Sequence, residues 1–325
     1  DFSIIQVRDV AIDVATEIFT RINVGGKALS VFEIMVAKTF DEEKGFDLSA
    51  EYEGLIERLT TVNYETVSDA ILLQLISLIL TKDCKKQTIL KLKKSEFIEK
   101  WPKVIDAFER AVEYFRHTYR IPVSKLLPYN TLLVPFAYFF YYHPGKPDAD
   151  QRAQLEDFFW RCSLGARYSS SVESKLAQDI RRIDRILKGR SPDYDWSIDI
   201  SPEFLIENGW FNAGRSSIKA ILCLYAYQQP KSFSDDAVVN ISNYWLKQAN
   251  SKNYHHFFPR AYLAKRKEEE WRINNIVNIT IVDDYLNKRE IGAKAPSVYM
   301  KTFKRDNPNL EKSMKSHLIG DLELF

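Results

Sequence analysis

Apolar residues recur at helical spacing over most of the first 190 positions. Between residues 51 and 188, the 3.6-residue period appears in DAILLQLISLIL, FIEKWPKVIDAFERAVEYF and VESKLAQDIRRIDRIL. This spacing places apolar side chains on one face of an α-helix. Short polar or proline-bearing connections such as RIPVSKLLP and HPGKPDAD separate the segments. No repeat of fixed period occurs, so we expect a helical bundle and not a solenoid.

Residues 10–40 contain two helical patterns joined by RINVGGKALS. Gly25 and Gly26 break the first helix, and Ser30 is placed to cap the second. The string INVGGKALS superficially resembles a phosphate-binding loop. A Walker motif, however, requires Gly at the position of Arg21 and Ser or Thr at the position of Ala28. We therefore expect no nucleotide site of this kind.

The C-terminal region has a different pattern. After residue 250, NYHHFFP and VNITIV are rich in aromatic and β-branched residues, and the short helical pattern DDYLNKREIG follows, with Asp283 or Asp284 at its start and Gly292 after its end. Strand, long connection, strand and helix make a compact ββα unit. The predicted fold is mainly α, a helical bundle followed by a small C-terminal ββα module. The predicted segments are 1–45, 46–190, 191–250 (a helical connector) and 251–325.

Length and composition exclude several classes of protein. The chain has 325 residues, more than one hydrophobic core comfortably serves, and its 45% hydrophobic content excludes disorder. Its longest apolar stretches are shorter than the roughly 20 residues that cross a bilayer, so we expect no membrane contact. Three widely spaced cysteines indicate reduced thiols in a cytoplasmic protein. Because the chain starts at Asp1 without Met, we expect it to be a piece of a longer protein.

Positive charge is concentrated near the C-terminus. Residues 252–305 contain 12 Lys and Arg and 6 Asp and Glu, a net charge of +6, whereas the whole chain has a formal charge of +2. A basic region on an otherwise neutral protein predicts a polyanionic partner.

Two of the five histidines, His255 and His256, are adjacent in the first predicted strand. Neighbours on a strand point to opposite faces, so a shared role requires the strand to end there, and Pro259 would provide that end. Asn278 follows His256 by 22 residues, and Asn287 follows Asn278 by nine. The order His, Asn, Asn therefore falls on strand, strand and helix.

The segments HHFFP, INNIVNITIV and YLNKREIGAKAPSVY resemble the HNH, or ββα-metal, nucleases, in the form found in GmrSD-type modification-dependent restriction endonucleases. EIFTRINVGGKALSVFEI resembles the tail of the ParB/sulfiredoxin-like domain that precedes the nuclease in that family. RYSSSVESKLAQDI is similar to its connecting region. These segments occur in the order of the family.

The resemblance implies a metal-dependent DNA endonuclease that acts on double-stranded DNA in restriction or phage defence. It also implies a missing part, because the ParB-like domain of that family opens with a DGQQR-type motif and nothing similar precedes Glu17. The nucleotide-hydrolysing, ParB-like domain would therefore lie outside this chain and act as its partner.

Phosphodiester hydrolysis needs a base, a cation and a group that holds the base. We expect His256 to be the base, because a neutral imidazole accepts a proton at cellular pH. Asn278 is expected to accept a hydrogen bond from its far ring nitrogen, with Asn274 and Asn275 as competing candidates. His255 and Asn287 are the predicted metal ligands.

These ligands include no carboxylate, so we expect weak binding of Mg²⁺ until a phosphate oxygen and waters complete its shell. Imidazole favours softer cations, which makes Mn²⁺, Ni²⁺ and Zn²⁺ alternatives to Mg²⁺. The predicted phosphate contacts are Arg260, Lys288, Arg289 and Lys294. Two other functions stay open at this point: a non-catalytic helical scaffold or DNA-binding subunit with a decayed nuclease fold, and a nuclease that cleaves RNA.

Overall fold

The computed structural model describes residues 14, 29–244, 246, 254–282 and 291–320. Within these residues the protein is mainly helical and has one two-stranded sheet, which confirms the prediction of a mainly α fold. The predicted helix of the ββα unit falls on residues 283–290 and lies outside the described residues.

Ten described helices precede the two strands of the sheet in sequence, two lie between the strands and two follow them. Those before it are Val31–Thr39 (α1), Leu48–Thr60 (α2), Asp69–Thr81 (α3), Lys86–Leu90 (α4), Lys94–His117 (α5), Leu133–Tyr142 (α6), Ala149–Leu164 (α7), Val172–Leu187 (α8), Pro202–Asn208 (α9) and Ser216–Tyr227 (α10). The later ones are Arg260–Lys265 (α11), Glu270–Ile273 (α12), Pro296–Asp306 (α13) and Leu310–Lys315 (α14). Short 3-10 turns occur at Ser124–Leu126, Asn130–Leu132, Arg167–Ser169 and Ile276–Asn278.

Several helices begin at side chains that satisfy their first N–H groups. Ser30 accepts from the Glu33 N–H while the Glu33 carboxylate accepts from the Ser30 N–H, a reciprocal cap that confirms the role expected of Ser30. Asp148 and Gln151 repeat this arrangement at α7. These caps define where the chain enters the bundle.

Helix α6 lies at the centre of the bundle. All its residues except Tyr142 are buried, because the segment LVPFAYFFYY is apolar on every face. It packs against α3, α5 and α8. An apolar helix of this kind is stable in water only when other helices surround it, which explains the amphipathic patterns on its neighbours. No helix in the described ranges has the length and apolarity needed to cross a bilayer.

The sheet lies between two clusters of buried residues. Its strands, Tyr254–His256 (β1) and Ile279–Ile281 (β2), are antiparallel, and His255 pairs with Thr280. Ile279 and Ile281 belong to the large core of the bundle. A second cluster lies on the C-terminal side and comprises Phe233, Phe257, Val282, Ile291, Tyr299, Met300, Phe303, Leu310 and Met314. The sheet thus forms a shared wall between the bundle and the C-terminal helices.

Candidate functional site

The two adjacent histidines lie on strand β1 in different surroundings. His255 is only 4% exposed, and its cross-strand partner Thr280 contacts His317 on the side of the second cluster. His256 is partly buried and is paired with Ile279, which faces the bundle. Since neighbouring side chains on a strand point to opposite faces, the two imidazoles approach any common site from different sides of the sheet.

His256 has a defined orientation. Its Nε2 atom lies 3.0 Å from Oδ1 of Asn274, and Nδ2 of Asn274 donates to the carbonyl oxygen of Phe211 at 3.4 Å. Because the amide nitrogen faces Phe211, its oxygen faces the imidazole and accepts a hydrogen bond from it. The proton of neutral His256 therefore resides on Nε2, and Nδ1 carries the basic lone pair.

The surroundings of His256 keep its imidazole neutral. Burial lowers the pKa of His256 from its ordinary value of 6.5, and the positive charge of Arg260 lowers it further. The hydrogen bond to Asn274 and the negative charge of Glu270 act in the opposite direction without reversing the shift. A lowered pKa leaves the ring unprotonated at neutral pH, as a proton acceptor must be.

Asn278 does not make the predicted hydrogen bond to His256. Its Oδ1 accepts from the Phe258 N–H at 2.8 Å, and its Nδ2 donates to the carbonyl oxygens of Phe258 (3.0 Å) and Ile273 (2.9 Å). The amide is thus used entirely to hold the chain that leaves β1. Asn274, one of the competing candidates, makes the contact to His256 instead.

Asn275, the other competing candidate, anchors a remote segment. Its Nδ2 donates to the carbonyl oxygen of Leu205, and its backbone forms a bridge with Trp210. A Cβ atom at Gly209 would lie 2.6 Å from Oδ1 of Asn275, so only glycine permits this approach. Residues 205–211 are therefore docked on the segment that carries Asn274.

The predicted phosphate contacts are distributed unevenly. Arg260 begins α11 and donates to Glu270 at 2.8 Å, with both side chains more than half exposed. An exposed ion pair of this kind is weak, so a phosphate oxygen can replace the carboxylate. Lys294 is exposed on the connection to α13, and Lys288 and Arg289 lie outside the described residues. Glu270 is a member of the site that the sequence analysis missed, since only the folded chain brings it near Arg260.

Of the two predicted metal ligands, the structure describes His255, whereas Asn287 lies outside the described residues. Across the described ranges, no three His, Cys, Asp or Glu side chains are grouped as a metal site requires. A single imidazole fits a borderline cation such as Mn²⁺, Ni²⁺ or Zn²⁺ as one ligand, and it fits Mg²⁺ less well.

The three cysteines are buried and unbridged. Burial raises the pKa of Cys84 and of Cys223 to about 12, and that of Cys162 well above its ordinary value. These thiols stay protonated at neutral pH, so none is an activated nucleophile.

No protein-family model matches the chain. The uncharacterized protein MJ0686 of Methanocaldococcus jannaschii is 25% identical over 340 aligned positions, which cover 95% of this chain and 55% of that protein. The chain thus spans about half the length of the curated relative it matches. Since the alignment covers nearly all of the chain, the helical part and the histidine-bearing part both have counterparts in the archaeal protein.

Proposed function

We propose that this chain is a metal-dependent DNA endonuclease of the HNH type, with His256 as its general base. The observation that supports it is the hydrogen-bonded series from His256 to Asn274 to the Phe211 carbonyl. It presents the Nδ1 lone pair of a neutral imidazole at the end of a short strand, next to an arginine. A histidine with a structural role needs a hydrogen-bond partner. A general base needs one ring nitrogen held by a hydrogen bond and the other able to accept a proton.

Each member of this series has a separate role in the reaction. Nδ1 of His256 takes a proton from the attacking water, and the resulting imidazolium still donates from Nε2 to Asn274. The Asn274 oxygen therefore stabilises the charged ring that forms during the reaction. Because Asn274 is itself held by Phe211, the ring does not have to be reoriented as the proton moves.

Arg260 would bind the phosphate next to the scissile bond. Its distance to Glu270 allows an exposed ion pair that exchanges for a phosphate oxygen. When a phosphate oxygen replaces the carboxylate, Glu270 loses its ion pair with Arg260. The negative charge of Glu270 raises the pKa of His256. Lys288, Arg289 and Lys294 are proposed to contribute further phosphate contacts along the duplex.

A divalent cation is proposed to bind between His255 and Asn287. When bound, it supplies positive charge for the phosphate and the leaving oxygen. Calorimetric titration with Mn²⁺ tests the assignment, with a His255→Ala, Asn287→Ala double variant compared with the exposed His117→Ala control. Affinity should fall in the double variant alone, and equal affinity in both would contradict the assignment.

The wider role follows the resemblance to GmrSD-type restriction endonucleases. We propose that the C-terminal module completes a ββα-metal fold through the segment after β2, and that a ParB-like nucleotide-hydrolysing domain works with it. Restriction of foreign, modified double-stranded DNA in the cytoplasm is the corresponding role.

Single-turnover cleavage with excess enzyme tests the mechanism. His256→Ala should lower the rate by about 10²- to 10⁴-fold and leave DNA affinity within a few-fold, because it removes only the base. Asn274→Ala should lower the cleavage rate less than His256→Ala does. The two effects should not add, since both act through the same ring. His117→Ala, at an exposed position of α5, is the matched control.

The pH profile adds an independent measurement. Because the pKa of His256 is lowered, the rate should rise with pH below 6.5 and be level from about pH 7. A His256→Ala variant that cuts as fast as the parent refutes the role of His256 as the base, whereas a parent that does not cut DNA favours a non-catalytic scaffold. Parallel assays with RNA of the same sequence separate the RNA-cleaving alternative.

A further inference from the structure

Two exposed tryptophans lie beside the residue that orients His256. Trp271 is 38% exposed on α12, three residues before Asn274, and Trp210 is 44% exposed, with its backbone bridged to Asn275. Tryptophan carries the largest apolar side chain and is mostly buried in folded proteins. Two exposed indoles on segments that adjoin Asn274 and Asn275 therefore require an explanation.

The indole of Trp271 is held in a set orientation. Its Nε1 donates to the Glu269 carboxylate at 2.5 Å, and the guanidinium of Arg272 lies 5.1 Å from the ring centre. One edge and one face of the ring are thus occupied by charged groups. A ring that is already oriented loses little conformational freedom when a flat partner stacks on it.

Trp210 projects from a backbone that is pinned on both sides. The N–H of Phe211 donates to the Asn274 carbonyl, and the N–H of Ile276 donates to the Gly209 carbonyl, each at 2.7 Å. The exposed side chain of Val277 (65% exposed) lies two residues beyond the bridged Asn275. The second indole therefore has a rigid support next to the site.

Cations are interleaved with these rings. Residues 260–272 contain five Lys and Arg and three Glu, a net charge of +2, within the larger region of net charge +6. Arg266 lies over the ring of Tyr262 as Arg272 does over Trp271. Basic side chains that alternate with exposed aromatic rings are the composition of surfaces that bind phosphates and unstacked bases together.

We propose that Trp271 and Trp210 form a stacking surface for unpaired bases next to the phosphate on which His256 acts. The inference deepens the proposed function and rests on it, because it names the substrate as nucleic acid with a single-stranded or unpaired segment at the cleavage point. In an intact duplex the faces of the bases are covered by their neighbours, so exposed indoles gain stacking contacts only from bases that have left the helix.

Fluorescence anisotropy with a labelled single strand and with the matching blunt duplex tests the proposal. Binding is measured without added divalent cation to prevent cleavage. Trp271→Ala and Trp210→Ala should each weaken single-strand binding about 5- to 150-fold and change duplex binding far less. Trp271→Phe should retain much of the affinity because it keeps a ring. Ile200→Ala, at a position 76% exposed, is the control for loss of a surface apolar side chain.

Salt dependence separates stacking from charge. An uncharged indole releases no counterion, so the tryptophan variants should keep the parental slope of log affinity against log salt, whereas Arg272→Ala should lower it by about 0.7. Tryptophan variants that bind the single strand like the parent, or that lose equal affinity for the blunt duplex, would overturn the proposal. If they behave as expected while His256→Ala cuts at the parental rate, the catalytic assignment fails and the base-binding surface stands.

Discussion

The buried imidazole of His317 makes the folded state sensitive to acid. Its Nε2 donates to the Lys231 carbonyl at 2.7 Å, its Nδ1 accepts from the Thr280 hydroxyl at 2.6 Å, and the ring of Phe233 lies against it. Burial lowers the pKa of His317 from 6.5 to about 4, although the Lys231 hydrogen bond acts in the opposite direction. Protonation would place a charge among apolar side chains and displace the Thr280 proton.

The sign and size of the effect follow from this shift. Between pH 6.5 and 4 the unfolded chain binds a proton that the folded chain does not, so stability falls as the pH falls. With these two pKa values, the free energy of unfolding should decrease by about 2 kcal/mol between pH 7 and pH 5, and by about 3 kcal/mol between pH 7 and pH 4.

Urea denaturation at pH 7 and pH 5 measures this loss in the parent and in His317→Gln. Glutamine keeps a donor for Lys231 but does not titrate, so the free energy of unfolding of the variant should fall by about 2 kcal/mol less than that of the parent. The rest of the parental decrease in unfolding free energy includes a contribution from His256, whose pKa is also lowered. His117→Gln, at an exposed position, controls for the loss of an imidazole. Equal decreases in the parent and His317→Gln would refute the reasoning.

Three further predictions concern the site and its support. Asn278→Ala should lower the free energy of unfolding by at least about 2 kcal/mol in urea titration, because it leaves the buried groups that it bridges without partners; a smaller loss would contradict its role as a clamp. Gly209→Ala should lower the free energy of unfolding by about 1–3 kcal/mol, since its Cβ would lie 2.1 Å from the Leu205 carbonyl oxygen. Gly320→Ala is the control and should leave it unchanged, because its Cβ would meet no atom within 4 Å. Arg260→Ala should lower the slope of log affinity for duplex DNA against log salt by about 0.9, and an unchanged slope would exclude a phosphate contact.

Local signals in the sequence predicted the helical part well. Ser30 three residues before Glu33 is a short-range pattern, and the structure contains the reciprocal cap that it predicts. The apolar run around Phe136 and Phe139 is uninterrupted in the sequence, and both side chains are fully buried. Such features depend on neighbours within one or two helical turns, which the sequence displays directly.

The choice among Asn274, Asn275 and Asn278 could not be made from the sequence. All three lie within five positions, and each can accept a hydrogen bond. Asn274 reaches His256 because its amide is turned by Phe211, which is 63 residues away in the chain. Asn278 is turned away by the carbonyl groups of Phe258 and Ile273. A long-range contact therefore decides which amide serves the histidine, and no local spacing encodes it.

The three-residue strand β1 has a consequence for how the chain can vary. A shift of one residue in its pairing with β2 would send His256 toward the C-terminal helices and His255 toward the bundle. The amino-acid composition would be unchanged, yet the proposed base and the proposed metal ligand would have exchanged places. Asn278, which ties Phe258 to β2 and to Ile273, opposes that slip. Insertion or deletion of one residue between Tyr254 and Phe258 should therefore disturb the placement of the two histidines far more than a conservative substitution there.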